Sequence, residues 1–338
     1  MIRLALQALA LSIVVTVSQP SNRVEVLSST SGLPAHVMGR FLEPAAFQEA
    51  ANGERFVFDR RGQSIYRIDR SGETRKIIEI GPERGRLLGA SSLSLGPGER
   101  FAVADAPDGR ERVQIFNLDG TWIGGFTLPG RAVPRLTLGN MVLNGIESLQ
   151  FTGQSIVMNQ PELGGLIAQF SLQGHPFQTF GVFRRTGHET NRDLHLALNS
   201  GIPLVDPGGG FYFVFQAGIP LFQKYDARGN LIFERHIEGP ELDSLIANLP
   251  TTWPRQHNEG AGRELPVVPK TVRTAAVDPT GKLWIALTVP YLYVYDLAGE
   301  KVQTLRLLAA GPLQPTNLFF PSSNRLLVTP GCYEFTVS

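Results

Sequence analysis

Apolar residues along this 338-residue chain fall in short alternating runs separated by turns. That is the period of strands and not of helices. The clearest stretch is residues 283–307, LWIALTVPYLYVYDLAGEKVQTLRL, in which the alternation breaks at Val289-Pro290 and again at Asp296-Leu297-Ala298-Gly299. In its first run Trp284 and Ala286 fall on one face and Leu283 and Ile285 on the other; in its second, Tyr293 and Tyr295 alternate with Leu292 and Val294. Both faces of each strand are apolar, so each needs a covering sheet on both sides.

The same pattern recurs along the chain. Six apolar runs, each after a Gly-rich or polar turn, begin at Phe56, Phe101, Ile156, Phe211, Leu283 and Leu326. Their intervals of about 45, 55, 55, 72 and 43 residues are blade-sized, with one large insertion. A second series stays in phase with the first: a further strand ends in a turn at Gly72, Gly120, Gly174, Gly229 and Gly299. Glycine supplies the positive φ that such tight hairpins require. The pattern predicts an all-β fold, a six-bladed β-propeller. The sixth unit stops one strand short, while Arg23-Val24-Glu25-Val26-Leu27-Ser28 alternates like a strand and has no unit of its own. The expectation is that residues 23–28 pair with residues 333–337 as the outer strand of the last blade and so close the ring.

Composition agrees with a turn-rich strand protein, with 36 Gly, 24 Pro and only 18% charged residues. A net charge of +1 predicts no bulk attraction to nucleic acid or to a membrane surface. The N-terminus changes the picture more. Arg3 precedes an apolar run over residues 4–17, interrupted by Gln7 and Ser12, and small residues follow at Thr16-Val17-Ser18. A run of roughly 14 residues is too short to span a bilayer, and small residues suit a signal peptidase. Residues 1–18 are therefore expected to be a signal peptide, and 19–338 a single exported domain. It would be periplasmic or extracellular, monomeric, and without a membrane span after cleavage. The one cysteine, Cys332, lies in the last apolar segment and reads as a core thiol.

Residues 101–126, FAVADAPDGRERVQIFNLDGTWIGGF, and residues 277–286, VDPTGKLWIA, resemble the repeat of the NHL family of six-bladed β-propellers. The resemblance extends loosely, blade by blade, over nearly all of residues 44–338. It implies a fold and not an activity, because such folds carry binding modules and enzymes alike.

The resemblance implies that the connections between blades lie on one face, and three of them are long: residues 129–141, 184–201 and 239–271. Long connections in compact domains often carry function. Within the last, residues 240–249, PELDSLIANL, place Pro at a first-turn position and Leu242, Leu245, Ile246 and Leu249 on one helical face. One short helix is expected there, acting as a partial lid, with residues 239–271 a lid-like insertion. It leads into Trp253, Arg255 and His257, while the 184–201 connection offers Arg184, Arg185, His188, Arg192 and His195. Arginine suits carboxylates and phosphates through paired hydrogen bonds. These eight residues are the expected ligand-binding set, for a protein partner or a small polar or anionic ligand, with no cofactor. His188, Glu189, Asp193 and His195 match no closed zinc spacing.

An alternative is a metal-dependent hydrolase or lactonase. Leu42-Glu43-Pro44 partly resembles the Glu-Gly-Pro motif of gluconolactonase-type propellers, and Leu143-Asn144-Gly145-Ile146 their Pro-Asn-Gly motif. That resemblance implies a divalent cation in the central channel held by Glu43 and Asn144. The segment comparable to their Pro-Asp-Gly carboxylate motif reads Val272-Arg273-Thr274, however, and Arg273 would repel a cation. The chain has no Gly-x-Ser-x-Gly elbow, no phosphate-cradling Gly loop with Lys and no paired cysteines. Binding is accordingly the expected activity and catalysis the alternative.

Overall fold

The computed structural model describes residues 23–107, 110–128, 136–138, 141–143, 146, 148–258 and 263–337. Two N-terminal strands, β1 (Val24–Ser28) and β2 (Ser31–Gly32), precede a short helix α1 (Ala35–Met38). Blade one follows as β3 (Pro44–Glu49), β4 (Arg55–Asp59), β5 (Ser64–Ile68) and β6 (Thr74–Ile78). Blade two is β7 (Ser92–Gly96), β8 (Arg100–Asp105), β9 (Arg112–Asn117) and β10 (Trp122–Thr127). After the hairpin β11 (Leu136–Leu138) and β12 (Met141–Leu143), blade three is β13 (Leu149–Phe151), β14 (Ser155–Met158), β15 (Ile167–Ser171) and β16 (Pro176–Phe180).

Helix α2 (Arg192–Leu198) leads into blade four, β17 (Gly201–Val205), β18 (Phe211–Phe215), β19 (Leu221–Tyr225) and β20 (Leu231–His236). Helix α3 (Pro240–Ala247) and a hairpin, β21 (Arg255–Asn258) and β22 (Arg263–Pro266), precede blade five. Its strands are β23 (Val272–Val277), β24 (Leu283–Leu287), β25 (Leu292–Tyr295) and β26 (Lys301–Leu308). Blade six is β27 (Asn317–Ser322), β28 (Arg325–Thr329) and β29 (Tyr333–Thr336), with β2 as its outer strand.

The ring is closed. Each innermost strand touches the next in the cycle β3, β7, β13, β17, β23, β27 and back to β3. The core divides the same way, into one apolar cluster for each junction between neighbouring blades. This is why the middle strands read as continuous apolar runs: β14, β18, β24 and β25 are buried at every position, whereas the outer β10, β16 and β20 are largely exposed. In blade five, Leu283 and Ile285 join Tyr293 and Tyr295 against blade four, while Trp284 and Ala286 join Leu292 and Val294 against blade six. Trp284 also donates its indole N–H to Asp278 Oδ2 at 2.9 Å, tying the Asp278 turn to the strand it feeds. Cys332 is fully buried at the junction of blades six and one, and burial pushes its thiol up to about 12.

The N-terminal closure differs from the expectation. Residues Val24–Ser28 pair in parallel with β26 of blade five, Val24 opposite Thr304 and Ser28 opposite Leu308. It is the two-residue β2 that completes blade six, Ser31 opposite Glu334 and Gly32 opposite Tyr333. Ser29 N–H still reaches Leu308 O, and Thr30 N–H already reaches Glu334 O, both at 2.8 Å, so the chain changes blade between these two residues. Gly32 then passes so close to blade six that a Cβ there would stand 3.0 Å from the Cys332 carbonyl. Alternation identified residues 23–28 as a strand, but alternation does not name the partner edge.

The expected helix is α3, and α1 and α2 accompany it. Leu242 is fully buried at the junction of blades four and five, with Leu245 and Ile246 packed beside it. Glu241 of α3 accepts a hydrogen bond from the Tyr293 hydroxyl.

Candidate functional site

The innermost strands enclose a central channel of about 1070 Å³, to which all six blades contribute. The residues that begin these strands, and the corners after the second strands, form one mouth of it. Their positions are fixed by a repeated device, in which a polar side chain at the end of a second strand ties down the incoming connection. Asp59 accepts from Leu42 N–H at 2.9 Å and Glu43 N–H at 2.8 Å, Asp105 from Leu88 N–H at 3.3 Å, and Asn159 from Gly201 N–H at 3.4 Å. In blade six, Thr329 Oγ1 donates to Ala45 O at 3.2 Å.

Among the described residues the charged side chains lining this channel are Glu43, Arg60, Lys270 and Arg273. Glu43 is engaged: its carboxylate pairs with the Arg60 guanidinium, and Arg60 N–H donates to Glu43 O at 2.9 Å. Arg273 sits at a bulge in β23, where the register with β24 passes from Val272–Leu287 directly to Thr274–Ala286. A bulge re-aims one side chain out of the alternation. Arg273 Nη2 donates to Gln314 Oε1 at 2.7 Å, while its Nε is buried with no hydrogen-bond partner. Burial alone lowers the pKa of this guanidinium. Asn317, the first residue of β27, likewise leaves its Oδ1 buried and unpartnered. Hydroxyl residues Ser92, Ser148, Thr274 and Thr316 line the same space.

The rim is built from the long connections. Helix α2 packs against β22, and β22 also meets β11, so the connections after blades two, three and four contact one another. Trp253 packs on a small cluster of Leu194, Ala197, Leu198, Ala217 and Val268, and its indole N–H donates to His188 Nε2 at 3.2 Å. His195 Nδ1 shares a hydrogen bond with Thr186 Oγ1 at 2.8 Å, with its ring edge-on to Phe183. The two segments singled out in the sequence are thus physically joined through Trp253 and His188.

Individual expectations fare differently. Arg184 is corrected: every nitrogen of its guanidinium donates to a main-chain carbonyl, those of Leu198, Ala217 and Ile219, and the group lies 4.5 Å over the Phe215 ring. Burial lowers it to about 10. It fastens α2 to blade four, with each guanidinium nitrogen engaged inside the protein. Arg185 and Arg192 are exposed, as are Arg255 and His257 on β21, and Arg255 Nη2 donates to Glu264 O at 3.1 Å. None of the eight expected residues lines the channel. Helix α3 does not line it either; it is seated on the junction of blades four and five.

Of the two residues that the alternative gives to a cation, only Glu43 can be placed. Asn144 lies outside the described residues. Glu43 is bonded to an arginine, Lys270 and Arg273 line the same channel, and no group of three His, Cys, Asp or Glu side chains among the described residues is arranged to hold an ion. The channel residues Arg60, Lys270 and Asn317 had not been singled out; the available signal was their place at the start of an inner strand or at the corner after a second one.

No family model and no curated protein matches this chain. Solved structures do match in fold. Virginiamycin B lyase from Staphylococcus aureus superposes with a TM-score of 0.52 at 10% identity, covering 88% of this chain and 95% of that one. A structural genomics protein of unknown function from Bacteroides thetaiotaomicron gives 0.51 at 11% identity, covering 93% and 75%. A gluconolactonase from Xanthomonas campestris gives 0.49 at 13% identity, covering 94% and 98%. At these identities the likeness is one of fold, the six-bladed β-propeller.

Proposed function

We propose that this protein is an exported binding protein that takes a small polar or anionic ligand into the mouth of its central channel. The observation that carries the reading is the channel itself: a space of about 1070 Å³, within the range or slightly above what small-molecule sites occupy. Among the described residues its wall combines apolar inner-strand side chains with hydroxyls and with more cations than carboxylates. The contact of Trp253 with His188 supports it, because it braces the long connections against each other on the side where the inner strands begin. Export rests on the apolar run of residues 4–17 with its small flanking residues. The NHL-like repeat supports the blade count and adds nothing to the activity.

The test is a thermal-shift screen of the purified protein against a library of small metabolites, with mass spectrometry of the recovered compounds. A ligand present at about 100 times its Kd stabilises the folded state by about 2.7 kcal/mol, a readily measured rise in Tm. Stabilising compounds recovered unchanged support a binding protein. Compounds returned hydrolysed or eliminated would replace this reading with an enzymatic one.

A further inference from the structure

We propose that Arg273 is the anchor of the channel, holding the carboxylate of a small organic acid whose hydroxyls meet the surrounding Ser and Thr side chains. This rests on the channel being the ligand site. Three independent features of the structure converge on it. The first is the bulge, which takes Arg273 out of the β23 ladder at the channel wall. The equivalent bulge in β3, where pairing passes from Pro44–Asp59 to Ala46–Phe58, carries only Ala45. The same backbone device therefore presents a methyl group in blade one and a cation in blade five.

The second feature is that the cation has been taken partly out of water without a counter-charge. Among the described residues no carboxylate pairs with Arg273; its one hydrogen bond goes to the neutral amide of Gln314, and its Nε is buried and unpartnered. Other partly buried arginines are matched, Arg112 by Asp105 at 2.8 Å, Arg325 by Glu49 at 2.7 Å and Arg184 by three carbonyls; Arg306, whose Nε is also buried and unpartnered, lies on the outer strand β26 and does not line the channel. An arginine left with one neutral partner is unfavourable in the free protein, and a carboxylate arriving in paired geometry removes the deficit. The lowered basicity of the group has the same origin.

The third feature is the neighbour. Strand β27 lies against β23, and its first residue, Asn317, leaves a buried amide oxygen unpartnered. A ligand bearing a hydroxyl next to its carboxylate supplies the donor for Asn317 and the acceptor for Arg273 together, whereas sulfate supplies acceptors only. Thr274 and Thr316 follow and precede these two residues and line the same wall.

Isothermal titration at fixed ionic strength tests the assignment, with citrate and galactonate as carboxylate probes, galactose as the neutral match and inorganic phosphate as the inorganic arm. Saturable binding of at least one carboxylate, at least tenfold weaker in Arg273→Met, and no binding of galactose are expected. A second readout needs no ligand: Arg273→Met should match or exceed the native Tm in the apo protein, since it removes an unpaired cation and keeps the volume. Carboxylate binding unchanged in Arg273→Met, or phosphate bound more tightly than either acid, overturns the anchor. If neither acid binds while a neutral library compound occupies the channel, the anchor is wrong and the channel reading stands. If nothing binds the native protein at all, both fall.

Discussion

Arg325 of blade six forks onto Glu49 of blade one, Nη1 to Oε1 at 2.7 Å and Nη2 to Oε2 at 2.9 Å, across 276 residues of sequence. Its Nε meets Glu334 Oε1 at 2.6 Å, and Arg55 reaches both carboxylates in turn, Glu49 at 3.2 Å and Glu334 at 3.0 Å. Ser31 of β2 adds a hydroxyl to Glu334 Oε2 at 3.1 Å. Two arginines and two glutamates thus bind the last blade to the first and hold the short closing strand. Removing one member leaves like charges facing each other in a partly buried site, so Arg325→Ala should lower stability by about 2–3 kcal/mol. For a chain of this size that is a drop in Tm of roughly 3–5 °C, read by differential scanning calorimetry. An unchanged Tm would mean that β-pairing alone closes the ring.

The same network sets an acid limit. Burial by itself raises the Glu49 carboxyl, but the hydrogen bonds from Arg325 and Arg55 outweigh it and hold it below the usual range. Glu334 is lowered in the same manner, burial being outweighed by Arg325, Ser31 and Arg55. Carboxyls depressed in the folded state stabilise it fully above their unfolded pKa, near 4.3, and lose that contribution as pH falls through the folded values. The native Tm should therefore fall more steeply below about pH 4.3 than that of the Glu49→Gln, Glu334→Gln double variant. Parallel Tm-against-pH curves would remove these two groups from the acid transition.

Truncation separates the two N-terminal strands. Strand β1 is mostly exposed and lies at the edge of an already four-stranded blade, with Leu27 packed on the blade five and six cluster. Strand β2 is shorter but completes blade six and carries Ser31 into the Arg–Glu network. A protein beginning at residue 29 should fold with a Tm lowered by a few degrees. One beginning at residue 34 should lose considerably more and become sensitive to protease at residues 333–337. Equal losses would place the closing role in β1.

Arg184 is expected to act on stability. Its guanidinium donates to the carbonyls of Leu198, Ala217 and Ile219, so Arg184→Ala leaves buried acceptors without donors and removes the stack on Phe215. The cost should be about 2–4 kcal/mol, and lysine, a single point charge, should recover only part of it. Chemical denaturation measures this directly; a variant as stable as the native protein would return Arg184 to the list of ligand contacts.

The sequence made the blades legible because the pattern is repeated: an apolar run six times over, followed in the first five by a strand that ends in a Gly turn. The closure was misplaced because β2 has two residues, too few for alternation to register, while β1 has a strand's pattern but no feature that selects blade five over blade six. Arg184 was misplaced because its role depends on carbonyls from Leu198, Ala217 and Ile219, which only the fold assembles. Two of the channel cations were missed for a related reason. Arg60 and Lys270 stand more than two hundred positions apart, and the ring alone makes them, with Arg273, neighbours of one space.

The most direct test of the account is hydrogen–deuterium exchange of the intact protein with and without a compound that stabilises it. Protection should concentrate in the starts of the inner strands, residues 270–275 and 314–318, and in the rim at residues 186–198 and 253–266, with the outer strand Leu231–His236 unchanged. Protection confined to outer strands, with 270–275 and 314–318 exchanging at the same rate as in the free protein, would contradict it.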